Sequence, residues 1–202
     1  MAKKVGIMGG TFNPIHIGHL ILAETARTQY SLDEILFIPS GLSYMKQQMD
    51  IPAGEVRADM TSLAIEDNPF FALSLMEIER GGNTYTYETL EALKVQNPDN
   101  EYYFILGADS LFAIEKWQST QKIFELCTIL VAVRNDGNLG NIQAEAERLS
   151  AKYQGNVLLL DCGNMEISST RIRDNVKNGH SIRYLVPDKV IQYIEEHNLY
   201  RE

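Results

Sequence analysis

Six compact apolar runs punctuate the chain, at residues 5–8, 35–38, 71–75, 102–106, 129–133 and 157–160. Most are continuous rather than alternating, the pattern of parallel strands covered on both faces. Between them, apolar positions recur at helical spacing. In residues 19–30, Leu22 and Ala26 share one side while Glu24 and Arg27 lie on others, and residues 55–65, 86–95, 121–126 and 142–153 read the same way. Strand and helix in alternation predict an α/β fold built on an open, doubly wound parallel sheet. The last third turns helical. Ser168 and Ser169 suit a helix N-cap, Gly179 suits the stop of a helix running through Val176, and Pro187 suits the first turn of a last helix with Val190, Ile191 and Ile194 on its apolar stripe. One domain over residues 1–202 is expected, an α/β core at 1–166 followed by a small helical C-terminal part at 167–202.

The pattern breaks after the first apolar run, at Gly9-Gly10-Thr11-Phe12-Asn13-Pro14-Ile15-His16-Ile17-Gly18-His19. A buried strand, a glycine turn and a helix start in that order make a place for phosphate. Glycines let main-chain N–H groups approach an anion, and a helix start adds unsatisfied donors and a favourable dipole. His16 and His19, at i and i+3, then point to the same anion. A Walker phosphate loop is excluded because no Gly-Lys-Ser/Thr ending follows, and the glycine spacing is not that of the dinucleotide fingerprint. A zinc site lacks a third ligand at suitable spacing.

A second constellation lies near the far end, at Ile167-Ser168-Ser169-Thr170-Arg171-Ile172-Arg173. Arginines in a first helical turn oppose the dipole, and a bound polyphosphate reverses that penalty. At about 100° per residue Thr170 and Arg173 share a face, while Arg171 lies roughly 200° from Arg173. Arg173 is therefore the expected anion contact and Arg171 a rim residue. The polar stretch 41–52 follows the second strand on the edge where open α/β sheets bind ligands, which suggests a flap.

Composition narrows the partners. An apolar content of 45% with 22% charged residues is that of a globular chain, and no 18-residue apolar run offers a membrane span. The N-terminal residues lead straight into a strand, without the apolar core of a signal peptide. Cys127 and Cys162 are expected as buried free thiols, which fits a cytoplasmic protein. A formal net charge of −9 repels long polyanions, so nucleic acid is disfavoured and a small nucleotide remains the fitting partner. Self-association into a homo-oligomer is compatible with all of this.

Together the two constellations resemble the paired signatures of the nucleotidyltransferase superfamily. Residues 82–90 (Gly82-Asn83-Thr84-Tyr85-Thr86-Tyr87-Glu88-Thr89-Leu90), residues 104–110, Trp117, Val133-Arg134 and the ending 185–200 make the whole chain similar to the bacterial nicotinate-nucleotide adenylyltransferases. That resemblance implies a Rossmann-like fold and transfer of AMP from ATP to nicotinate mononucleotide, with Mg²⁺ travelling as the ATP complex. It implies catalytic roles for His16, His19 and Arg173, and ATP contacts by Gly9, Gly10, Thr11, Phe12, Lys46, Gly107, Asp109, Arg134, Ser169 and Thr170. It further implies that Trp117 stacks on the pyridine ring and that main-chain N–H groups at Thr86 and Gln118 receive the nicotinate carboxylate. A sister adenylyltransferase using phosphopantetheine or nicotinamide mononucleotide is the alternative. The chain departs from the family at Met45-Lys46, where a histidine commonly precedes the lysine.

Overall fold

A computed structural model describes residues 2–41, 51–133, 139–163 and 166–201. Among these residues six strands form one sheet: β1 (Lys4–Gly10), β2 (Glu34–Pro39), β3 (Phe71–Leu73), β4 (Glu101–Gly107), β5 (Thr128–Val133) and β6 (Val157–Asp161). They pair in the order β3-β2-β1-β4-β5-β6, and every pair is parallel. The chain winds outward from β1 in one direction and then, from β4, in the other. The strand order thus reverses between β1 and β4, where open α/β sheets hold their ligands at the carboxyl ends. The fold is the expected doubly wound, Rossmann-like sheet.

Helices α1 (Ile17–Gln29), α2 (Gly54–Ile65), α3 (Met76–Arg80), α4 (Thr86–Gln96), α5 (Ala108–Ala113), α6 (Thr120–Leu126) and α7 (Leu139–Tyr153) join the strands, and α8 (Ser169–Lys177) and α9 (Asp188–Glu196) close the chain. Successive strand residues point to opposite faces. Phe104, Leu106, Ile129 and Val131 therefore pack with Leu90, Leu111 and Ile123 on one side of the sheet. Ile105 and Leu130 face the other way, onto Ala23, Met60, Ile172, Val190 and Ile194. The continuous apolar runs are explained by this two-sided burial.

Three details differ from the sequence expectation. β3 ends at Leu73: Ser74 still donates to the Phe37 carbonyl at 2.9 Å, but Leu75 turns away as the N-cap of α3, whose first turn carries Glu77 and Glu79. Pro187 caps α9 from just outside, with φ −59° and ψ 150°. Cys127 is buried and its thiol is pushed up to about 12 by that burial, whereas Cys162 is only half-buried. Among the described residues no helix is long and apolar enough to cross a membrane.

Candidate active site

The loop from β1 into α1 puts both histidines at the sheet's switch point. His16 is the N-cap of α1, in extended conformation, and His19 is the third residue of the helix. Their rings stack with centroids 3.7 Å apart, and the Phe12 ring meets His19 edge-on at 5.1 Å. Phe12 has φ +47°, a conformation that costs a side-chain-bearing residue roughly 1–3 kcal/mol unless the surroundings hold it. Burial of its ring, 3% exposed, supplies that hold. Gly18 suits the same packing, since a Cβ there would stand 3.1 Å from the Nδ1 of His16, closer than ordinary contact.

The two imidazoles differ in electrostatics. Burial pushes the His16 pKa down to about 4, so this ring is neutral at physiological pH. Its Nδ1 is buried without a hydrogen-bond partner among the described residues. His19 Nδ1 accepts the main-chain N–H of His16 at 3.2 Å. An accepting Nδ1 leaves the ring proton on Nε2, so neutral His19 presents an N–H donor.

Helix α8 docks onto this loop across about 155 residues of sequence. Ser169 Oγ donates to the Pro14 carbonyl at 2.9 Å, and Arg173 Nη1 donates to the Asn13 carbonyl at 2.8 Å. Arg173 Nη2 lies 3.3 Å from Thr170 Oγ1, in keeping with their shared helical face. Arg171 turns outward, with Nη1 3.4 Å from the Glu166 carbonyl. The N-cap of α8 is Ser168, whose side chain accepts from the Arg171 N–H. The early and late motifs therefore occupy one place.

Two cavities meet there. The first, about 470 Å³, is lined by Gly9, His16, His19, Gly107, Asp109 and Ser169 among others. The second, about 510 Å³, is lined by Gly10, Thr11, Thr86, Trp117 and Gln118 together with Ser40, Glu77 and Tyr85. Gly9, Phe104, Ser110 and Trp117 border both. Trp117 is half-buried, edge-on to Phe104 at 6.1 Å, and its turn is pinned by Thr120 Oγ1, which donates toward the carbonyls of Ile114 and Trp117. Thr86 is the first residue of α4, whose leading N–H groups have no partner within the helix. Asp109 stands in the first turn of α5. Phe12, Thr170 and Arg173 border neither cavity: Phe12 supports His19 from the core, Thr170 is exposed, and Arg173 lies behind the Asn13 carbonyl. Lys46, Arg134, Met45 and most of the 41–52 stretch lie outside the described residues.

Three features escaped the sequence reading. Ser40 and Glu77 carry no motif of their own; Glu77 accepts from Thr89 Oγ1 at 2.7 Å, and burial raises its carboxyl pKa. Arg57 did leave a signal. It shares its helix face with Met60 and Thr61, at i, i+3 and i+4, so a charged residue stands on a buried stripe.

The cytidylyltransferase-like family model matches residues 7–175. The chain is 46% identical over 198 residues to a protein of Lachnoclostridium phytofermentans, covering 98% of this chain and 99% of that one. It is 43% identical over 200 residues to one of Clostridium botulinum strain Alaska E43, covering 99% of each. Both relatives carry the name "Probable nicotinate-nucleotide adenylyltransferase". In fold it is similar to the Plasmodium falciparum nicotinic acid mononucleotide adenylyltransferase solved with APC and with NaAD, with TM-score 0.78 and 20% identity over 98% of this chain and 97% of that one. The chain belongs to the cytidylyltransferase-like nucleotidyltransferases and, within them, to the nicotinate-nucleotide adenylyltransferases.

Proposed function

We propose that the chain transfers the adenylyl group of ATP to nicotinate mononucleotide, forming nicotinate adenine dinucleotide and pyrophosphate in NAD biosynthesis. One observation carries the reading: two cavities of nucleotide size share a border at Gly9, beside the stacked histidines. The first cavity takes ATP, with its phosphates toward Gly9, His16, His19 and Ser169. The second takes the acceptor.

A phosphate oxygen of the acceptor attacks the α-phosphorus as the bond to pyrophosphate breaks. With a second pKa near ~6 that phosphate is already ionised at neutral pH, so no general base and no covalent intermediate are needed. The work left to the protein is positioning and charge stabilisation. His19 Nε2–H donates to the α-phosphoryl region through the tautomer its Nδ1 bond selects. His16, neutral, acts as a donor or acceptor rather than as a cation. Arg173 adds positive charge from behind the Asn13 carbonyl, on the side of the β and γ phosphates. Lys46 and Arg134 belong to the same proposal on family grounds, Lys46 at the phosphates and Arg134 toward the adenine.

Acceptor choice follows from the second cavity. Trp117 offers its face to the electron-poor pyridine. N–H groups at the start of α4, at Thr86, and at Gln118 receive a carboxylate; an amide would turn its own NH₂ toward those donors and leave groups unpaired. Among the described residues no three His, Cys, Asp or Glu side chains converge as a metal site. A divalent ion would be carried by the triphosphate and water with Asp109 at hand, and when bound it would neutralise phosphate charge. The deciding measurement is pyrophosphate release from ATP with nicotinate mononucleotide, nicotinamide mononucleotide and phosphopantetheine in parallel. The acid nucleotide is expected to give the highest kcat/KM; a preference for phosphopantetheine would overturn the assignment.

A further inference from the structure

Arg57 is 3% exposed and borders neither cavity, yet two of the residues whose carbonyls it holds, Thr11 and Ser40, line the second cavity. Nη1 donates to the Thr11 carbonyl at 2.7 Å, Nη2 to the carbonyls of Ser40 at 2.6 Å and Gly41 at 3.2 Å, and Nε to that of Pro52 at 3.0 Å. Among the described residues no carboxylate stands in ion-pair contact with it. A buried arginine ordinarily keeps such a partner, because a lone charge in the interior is strongly disfavoured. Burial lowers its pKa, but a guanidinium stays charged throughout the physiological range. A fixed positive charge, in no ion pair among the described residues and acted on by Glu55 only from a distance, therefore sits just behind the glycine turn.

The neighbouring carbonyls follow one pattern. Gly10 O takes the Ser40 N–H at 2.8 Å, Asn13 O takes Arg173 and Pro14 O takes Ser169. The carbonyl oxygens of residues 10, 11, 13 and 14 are thus all held by donors from other elements. In a planar trans peptide the C=O and the following N–H point opposite ways. Holding the Thr11 carbonyl on Arg57 turns the negative end of that dipole off the cavity wall, and the Ser40–Gly41 peptide is held alike. A carbonyl released toward a phosphate would repel it.

We propose that Arg57 is a positioning residue for the phosphate group of the nucleotide held in the second cavity. It turns the Thr11 and Ser40 carbonyls away from that anion. The proposal rests on the adenylyl-transfer reading only for the identity of that nucleotide. Its test compares Arg57→Lys, which keeps the charge but cannot reach four carbonyls, with Arg57→Gln, which loses both. Binding of nicotinate mononucleotide and of adenosine is measured by calorimetry, with thermal unfolding as a check on the fold. The nicotinate mononucleotide Kd is expected to rise about tenfold or more in Arg57→Gln and less in Arg57→Lys, with adenosine binding unchanged. Parallel loss of both ligands, unchanged nicotinate mononucleotide binding with only a lower Tm, or a wild type that binds no nicotinate mononucleotide would overturn it. Should Arg57→Gln not fold, Arg57→Lys alone decides by the same contrast. A wild type that binds nicotinate mononucleotide but transfers no adenylyl group to it would sink the adenylyl-transfer reading and leave Arg57 standing.

Discussion

His16 and His19 show how two identical side chains, three positions apart, come to different chemistry. The helix start gives His19 a main-chain donor for its Nδ1, which leaves Nε2–H as the donor assigned to the substrate in the proposed reaction. His19→Ala deletes that donor, and the expected loss in kcat is about 2–4 kcal/mol, with the circular dichroism spectrum unchanged. Pyrophosphate release near the wild-type rate would remove His19 from the mechanism. His16 makes a prediction about pH instead. Its folded pKa, about 4, lies below the ordinary 6.5, so between those values the unfolded chain binds more protons. Stability is therefore highest above pH 6.5 and falls as pH drops through the window toward 4. The contribution at stake is about 3 kcal/mol, and His16→Gln should flatten that part of the stability profile measured by denaturant unfolding. An equally steep profile in the variant would assign the acid sensitivity elsewhere. Spacing alone predicted two rings on one side, and they stack; which ring is buried, and which is oriented by the backbone, depends on Phe12, Gly18 and the sheet behind them. Those are contacts that no local pattern contains.

Elements, rather than residues, decide which ligand meets which wall. Strand ends bring Gly9 and Gly107 to one edge, α4 brings Thr86, and the turn before α6 brings Trp117. Because Thr120 pins the Trp117 turn and Phe104 backs the indole, Trp117→Ala should raise the acceptor KM more than the ATP KM. Steady-state kinetics with each substrate varied in turn checks this; equal rises would make Trp117 a packing residue shared by both cavities. The strands and most helices were legible because two-sided burial writes continuous apolar runs and helices write a 3.6-residue stripe. α3 was not, since five residues are too few to show a period and Leu75 reads as strand until Ser74 ends the pairing. Arg57 was legible only as an anomaly, a charge on the apolar face of α2. Its meaning lay in carbonyls up to 46 residues away.

At the scale of the whole molecule, the C-terminal helices are part of the catalytic unit's own core. Ile172 of α8 and Val190 and Ile194 of α9 pack with Ala23, Phe37 and Leu130, while Trp117 packs on the other side of the sheet. The sheet is shared by both faces, so loosening one face should loosen the other. Ile194, 1% exposed, is far enough from both cavities to test this without touching the chemistry. Ile194→Ala should destabilise the fold by about 2–5 kcal/mol through lost burial and the space left behind. The single tryptophan reports from the opposite face, and far-UV circular dichroism reports on all helices together. Both signals are expected to move to lower denaturant by the same amount and to coincide, with kcat per folded molecule unchanged. If the dichroism transition split, or preceded the Trp117 fluorescence, the helical part at 167–202 would be an independent unit. The α8 contacts to Asn13 and Pro14 would then form only after the core had folded, and assembly of the phosphate seat would become a separate step from folding.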